Sequence, residues 1–258
     1  MRDTASSNGL ARTILAPVLF GLLVVAIWQF AVTALEIKPF ILPGPLAIGE
    51  QFTANLSNVW AGMVVTGRNA LIGLIVGSVI GILAAIVSAL LRVFDEMAAP
   101  IVAAIAVVPI VALAPVLYTM FGAAAETARQ IVAALAVFVP VYFNTLKGLR
   151  QVSPVHRDLM RAYAASSWQA TKTVTLPTAT PYVFTGLRIA SSLAVISSLI
   201  AEYFGGPVGG LGKSITSAAS SSNYGLAWAY VLGSILLGLL FYCAALGLEK
   251  LVTRRKAG

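Results

Sequence analysis

The stretch GGPVGGLGKS, residues 205–214, comes nearest in this sequence to a phosphate-binding loop. Such a loop, G-x-x-x-x-G-K-[ST], cradles phosphates with backbone amides and reaches them with its lysine. Its first glycine should stand five positions before Gly212, where the sequence has Pro207. No strand leads into it either, since a long apolar run precedes it. The pattern fails in sequence and in context, and these glycines are expected to form a flexible outer turn. Other catalytic groupings are equally thin. His156 is the only histidine and Cys243 the only cysteine, which leaves little for a His/Cys metal site or a His-based triad. His156 beside Arg157 reads as solvated. Cys243 reads as a small apolar filler with no partner for an intrachain disulfide. Nothing resembles an aromatic and basic surface for nucleic acid. The chain is therefore expected to be no enzyme and to hold no metal or cofactor. Any chemical energy it uses must come from another subunit.

Polar residues inside apolar runs are the remaining candidates, because charge facing lipid is costly. Arg188 lies about two turns into the apolar segment 180–203. It could attract an anionic substrate, or snorkel to the interface or pair locally. Glu202 lies near the other end of the same segment, followed by Tyr203, where it could gate or anchor the loop beyond. Ser191, Ser192, Ser197 and Ser198 give the segment a polar flank that suits a substrate pathway. Asn69, Tyr118 and Asn144 complete this set. Serine and asparagine also bridge helices without any transport role, so both uses stay open.

Positioning such residues requires a membrane scaffold. Only 10% of the 258 residues are charged and 59% are hydrophobic, with a mean hydropathy of +0.92. A soluble domain has about 25% charged residues. Six segments are apolar enough to span a bilayer, near 16–35, 69–91, 98–121, 130–146, 180–203 and 226–248, given the requirement of about 20 residues. The first extends from Pro17 to Leu35, longer than the roughly 7–15 residues of a signal-peptide core, and reads as a retained span. The organisation expected is an N-terminal tail at 1–15, a single all-α transmembrane domain at 16–250, and a basic tail at 251–258.

Orientation follows from the positive-inside rule. With the N-terminus in the cytoplasm, that side holds Arg2, Arg12, Arg92, Lys147, Arg150, Arg157, Arg161, Lys172, Lys250, Arg254, Arg255 and Lys256. The outer side holds Lys38, Arg68, Arg129 and Lys213. Both termini are therefore expected in the cytoplasm. An outer segment at 36–68 contains Ile48, Phe52, Leu56, Val59 and Met63 at helical spacing, as in an amphipathic helix lying at the interface. Gly73, Gly77 and Gly81 repeat every fourth residue, which suits close packing of helices within the chain. Pro109 and Pro115 fall inside the third span and should kink it.

One cytoplasmic loop, 147–179, is long. Its roughly 30 residues exceed the two to eight usual between helices. Ser153 and Pro154 make a good helix start, and Val155, Leu159, Met160 and Tyr163 follow at helical spacing. Ser166 and Ser167 interrupt and can cap a second short helix reaching about Val174, which Pro177 should stop. A helix, a bend and a second helix at the membrane face would offer an apolar side to a partner while Arg157, Arg161 and Lys172 stay solvated.

Here the sequence resembles the permease subunit of bacterial binding-protein-dependent ABC importers of the type I fold. Their cytoplasmic signature is E-A-A-x3-G-x9-I-x-L-P. Asp158-Leu159-Met160 stand for E-A-A, Ala164 for the glycine, and Val174, Leu176 and Pro177 close the motif at the same spacing. LPGP at 42–45, VPIVALAPVLYTMFG at 108–122, PVYFNTLKGLR at 140–150, LPTATPYVFTGLRIA at 176–190, AEYFGG at 201–206 and GLG at 210–212 resemble the nitrate, sulfonate, taurine and pyrimidine-precursor branch. The likeness runs from about residue 17 to 250.

That resemblance implies a multi-pass protein of the bacterial inner membrane that pairs with a second, identical permease chain. Two cytoplasmic ATPase subunits, carrying ATP and Mg, would dock on Asp158, Leu159, Met160, Arg161, Ala162, Tyr163, Ala164, Ala165, Ser166, Ser167 and Trp168, with Leu176 and Pro177 completing the coupling set. A solute-binding protein would dock outside and deliver an organic anion or a nitrogen heterocycle, such as a vitamin precursor, nitrate, a sulfonate or taurine. An ion-coupled secondary carrier and a non-transporting membrane scaffold are the rival readings. Against the carrier, no internal repeat is visible and midplane charge is sparse.

Overall fold

A computed structural model of the chain describes residues 6–254. Among the described residues the architecture is all-α, without strands. Helix α1 runs Ser6–Ala34, α2 Pro45–Ala54, α3 Leu56–Leu90, α4 Arg92–Val107, α5 Ala114–Phe121 and α6 Thr127–Arg150. After them come α7 Pro154–Ala162, α8 Ser167–Ala170, α9 Leu176–Tyr203, α10 Leu211–Ser220 and α11 Tyr224–Arg254. Five helical segments are long and apolar enough to cross a membrane: Leu15–Ala34, Leu56–Leu90, Thr127–Arg150, Ser167–Tyr203 and Tyr224–Val252.

The centre is a bundle of α3, α6 and α9, with α10 and α11 packed on α9. Val59 and Ala70 of α3, Val137 and Val141 of α6, Ala190 and Ala194 of α9, and Leu211 of α10 share one buried cluster. Small residues make this possible. A Cβ on Gly77 would lie 2.9 Å from Val137 Cβ, and one on Gly81 3.1 Å from Phe138 O. On the other side of α6, a Cβ on Gly148 would lie 2.7 Å from Tyr182 Cβ of α9. Lipid is as apolar as a leucine side chain, so helices here are held by close van der Waals contact rather than by escape from water. The expected within-chain role of Gly73, Gly77 and Gly81 is what the α3–α6 seam displays.

Three expectations are corrected. The third span, 98–121, is not one kinked helix but two helices with a break. Val108 is extended (φ −65°, ψ 131°), as a residue before proline prefers. A 3₁₀ turn at Ile110–Leu113 follows, and Pro115 then sits in the first turn of α5, where its missing N–H costs nothing. At 1.5 Å per residue, α4 reaches about 24 Å and α5 about 12 Å, both short of the roughly 30 Å hydrocarbon core. The amphipathic helix is likewise divided. Asn55 leaves helical geometry (φ −114°, ψ 23°), ending α2 and starting α3. Ile48, Phe52, Val59 and Met63 do turn inward, while Leu56 is exposed. The latter half of that face is therefore the beginning of a long span.

Pro177 does not stop the helix it follows. A π-turn at Thr171–Thr175 joins α8 to α9, and Pro177 lies in the first turn of α9. The wider turn shifts the hydrogen-bond register just where proline supplies no donor. Ser167–Tyr203 thus forms one helical path of 37 residues.

Helix α1 stands apart. Its side chains from Leu15 onward are mostly exposed, Leu19, Phe20, Leu22, Leu23 and Phe30 among them. It touches the rest near its end, where Trp28 meets Trp228 of α11 edge-on at 5.8 Å and Gln29 Oε1 accepts from Leu46 N at 3.1 Å.

Candidate functional site

The first candidate centre lies where α3, α5, α6 and α9 meet the 205–212 turn. Glu202 and Arg129 are both fully buried there. Thr66 Oγ1 of α3 donates to the Glu202 carboxylate at 3.0 Å, and Gly212 N donates to its Oε2 at 2.7 Å. Leu211 N in turn donates to Thr66 Oγ1 at 2.8 Å. Arg129 reaches the same carboxylate at 3.8 Å through Nη1. Its Nη2 donates to Pro207 O at 2.7 Å and its Nε to Tyr118 OH at 3.3 Å, while that hydroxyl donates to Ala201 O at 3.3 Å. A buried charge is tolerated only when paired and hydrogen-bonded; the two side chains pair, and all the polar side-chain atoms described at this centre except Arg129 Nη1 are hydrogen-bonded.

This geometry corrects the expectation of a flexible turn. Gly206 (φ +98°) and Gly210 (φ +93°) occupy backbone regions that side chains avoid. A Cβ on Gly206 would lie 2.9 Å from Arg129 Nη2, and one on Gly210 2.5 Å from Glu202 Oε1. Glycine is needed because the backbone wraps directly around the ion pair. A Gly210→Ala chain should therefore lose about 2 kcal/mol or more, combining the left-handed penalty with overpacking, measured by denaturant titration in mixed micelles.

Arg129, counted in the sequence only among the outer-side charges, is fully buried in the core. Val132 and Ala133, three and four residues on, are buried beside it, but α6 is buried on several sides, so no single apolar stripe marked Arg129 in the sequence. Thr66, similarly buried, was not singled out in the sequence.

The other pathway candidates are dispersed. Asn69 is buried in the α3–α6 seam and accepts from Gln130 Nε2 at 3.0 Å. Asn144 donates to Pro140 O at 2.8 Å. Arg188 pairs with Glu249 of α11 at 3.2 Å. The serines of α9 divide between two faces. Ser191, Ser197 and Ser198 are buried, Ser191 donating to Arg188 O at 2.7 Å. Ser192 instead lines an open groove of about 520 Å³ between α9 and α11, with Val195, Ile196, Leu199, Ser234 and Tyr242.

At the opposite end of α9, the two helices of the loop start where the sequence suggests, although Ser153 makes no side-chain cap hydrogen bond and only Ser166 caps its helix. Ser153 is extended (φ −60°, ψ 139°) before Pro154 opens α7. The helix closes in a Schellman motif: Ala165 N donates to Met160 O and Ala164 N to Arg161 O, both at 2.9 Å. Ala164 takes the left-handed position (φ +48°), so alanine makes the bend where the family signature has glycine. An Ala164→Gly chain should gain about 0.5–1 kcal/mol at this cap, read as slower amide hydrogen exchange at residues 164 and 165. Ser166 then forms a full capping box with Gln169: its Oγ accepts from Gln169 N at 3.3 Å, and its own N donates to Gln169 Oε1 at 2.7 Å. Val155, Leu159, Tyr163 (76% exposed) and Trp168 (70% exposed) stand clear of the bundle. Asp158 and Arg161 pair at 3.4 Å in solvent, an interaction that contributes little. The side chains of Asp158 through Trp168 thus form a rigidly capped but uncovered surface, behind which Leu176 and Pro177 begin α9.

Comparison with known proteins fits this anatomy. Residues 77–257 match the family described as binding-protein-dependent transport system inner membrane component. The riboflavin transport system permease protein RibX of Chloroflexus aurantiacus is 32% identical over 92% of this chain and 88% of its own length. The formylaminopyrimidine transport permease protein ThiX of Halalkalibacterium halodurans is 30% identical over 74% of this chain and 76% of its own. Among solved structures, an amino acid ABC transporter superposes with a TM-score of 0.63 at 16% identity, over 79% of this chain and 96% of that one. The MetNI methionine ABC transporter gives 0.56 at 18%, over 77% and 95%. These last two share the fold. The chain belongs to the binding-protein-dependent inner membrane component family: it is the multi-pass permease subunit of an ABC importer, with the type I fold.

Proposed function

We propose that the chain works as one of two identical permease subunits, moving a small nitrogen heterocycle of the vitamin-precursor kind across the inner membrane. ATP and Mg are held by ATPase subunits docked on α7 and α8, and a solute-binding protein docks at the opposite end. Both termini then lie in the cytoplasm. The observation that carries the coupling role is the uncovered pair α7–α8, with Tyr163 and Trp168 exposed and α8 running on into α9 as one helical path. A partner seated there would move α9 directly.

For the substrate, two relatives carry riboflavin and formylaminopyrimidine in their names. The arginines best placed inside the spans also bear on this point. Arg129 is paired with Glu202 and Arg188 with Glu249, so neither presents a free charge to an anion. This favours a neutral heterocycle over taurine or a sulfonate. Proteoliposomes containing the permease, its ATPase and its binding protein should accumulate riboflavin or an aminopyrimidine only with internal ATP and Mg, and excess taurine should not compete. ATP-independent uptake by the permease alone would defeat the importer assignment. Competition by taurine would move the substrate back to the organic anions. In the same assay Arg161→Glu or Ala164→Leu should lower solute moved per ATP hydrolysed by about fivefold or more, the scale of an ordinary coupling energy.

A further inference from the structure

Val208 is 98% exposed, yet the turn that carries it is sunk at both shoulders. Four glycines of positive φ, at 205, 206, 209 and 210, surround Pro207 and Val208. In a free chain such a segment would be soft. Here one shoulder is tied by Arg129 to Pro207 O, and the other by Thr66 to Leu211 N and by Glu202 to Gly212 N. All three ties meet at the buried pair. Arg129 also holds Tyr118 of α5, and Glu202 belongs to α9 itself. Hydrogen bonds with one charged partner are roughly twice as strong as neutral ones, so the turn is better fastened than its composition suggests.

One donor is held in reserve. Arg129 Nη1 is buried and makes no hydrogen bond among the described residues, although Glu202 Oε1 is 3.8 Å away. An inward shift of about 1 Å would make that bond, since N–H···O contacts settle near 2.9 Å. As it stands, the contact is an ion pair without a direct hydrogen bond between the two side chains.

We propose that Arg129 and Glu202 are positioning residues for transport. They brace the 205–212 turn so that a load placed on Pro207 and Val208 by the docked solute-binding protein reaches α5 and α9 instead of being absorbed in the loop. This rests on the importer reading above. The far end of the load path is on the page: α9 ends at the brace and runs back without a break to α8, the surface assigned to the ATPase.

Stimulation of ATP hydrolysis by the solute-loaded binding protein tests the brace, using the reconstituted complex. Two variants separate bracing from folding. Arg129→Lys keeps the charge but cannot hold Tyr118 OH and Pro207 O together, because lysine lacks the planar fork. A two-glycine insertion after Val208 leaves the buried pair untouched and slackens only the tip. Each should cut the stimulation factor by about fivefold or more, with the binding protein still captured by the complex. Wild-type stimulation in the insertion chain would overturn the proposal, even if the lysine variant failed to assemble. So would wild-type stimulation in a folded Arg129→Lys chain. A wild-type complex that hydrolyses ATP but ignores the binding protein would remove the importer reading itself.

Discussion

A Glu202→Ala chain is expected to be about 3–5 kcal/mol less stable than the wild type, the usual cost of removing one partner from a buried ion pair. Truncation leaves the Arg129 guanidinium fully buried with no counter-charge, and frees the donors of Thr66 and Gly212 at the same point. Glu202→Gln should cost less, because an amide oxygen can still accept from Thr66 Oγ1 or Gly212 N. The diagnostic chain is the double variant Arg129→Met/Glu202→Gln. If charge left unpaired is the main penalty, the second substitution should recover more than half of the loss. A double-mutant cycle read by SDS titration in mixed micelles measures that coupling. Strict additivity of the two single losses would show that the two side chains act separately.

That centre also marks the limit of what can be read from residue order. Apolar length located the long helices, and four-residue glycine spacing located the α3–α6 seam. Ser153, Pro154 and Ser166 located the helix starts in the loop. All of these are local signals, encoded within one or two turns. Burial of Arg129 is different: its partner is on another helix far along the chain, and a lone arginine near a span end looks the same whether it faces water or a carboxylate. The glycines at 205–212 misled for a related reason. Their composition reports conformational freedom, whereas the ties that remove that freedom come from Thr66 on α3 and Arg129 on α6.

Boundaries failed where proline and asparagine had two outcomes. Pro109 was read as a kink and is a break, since Val108 before it leaves the helix entirely. Pro177 was read as a stop and is a starting residue, since a π-turn ahead of it absorbs the lost donor. Among the pathway candidates, helical spacing on α9 already separates Ser192 from Ser191 and Ser198 by 100° or more of rotation. Which of those faces would be packed and which open depends on α6 and α11, and only the assembled bundle decides it. The helix starts and open face of the cytoplasmic loop were more legible because their caps and spacing all belong to one short segment.

Gly77→Leu is expected to have the other large effect, separating α3 from α6 and lowering stability by at least about 3 kcal/mol, the upper range for overpacking. The Cβ alone would lie 2.9 Å from both Val137 Cβ and Cγ1, and still nearer Ala134 O. Ala134 O is backbone within a helix and cannot rotate aside, so the two axes must move apart. Separation would also loosen Gly73 and Gly81 on the same face, forfeiting contacts along the whole seam. Dispersion falls off steeply with a gap of even 0.5–1 Å, and lipid offers no compensating hydrophobic gain. A matching Gly238→Leu chain provides the control, because nothing lies within 4 Å of a Cβ at that position on α11. It should fold nearly as well as the wild type within the same membrane, and equal losses in the two chains would mean that helix composition rather than the α3–α6 approach sets the cost.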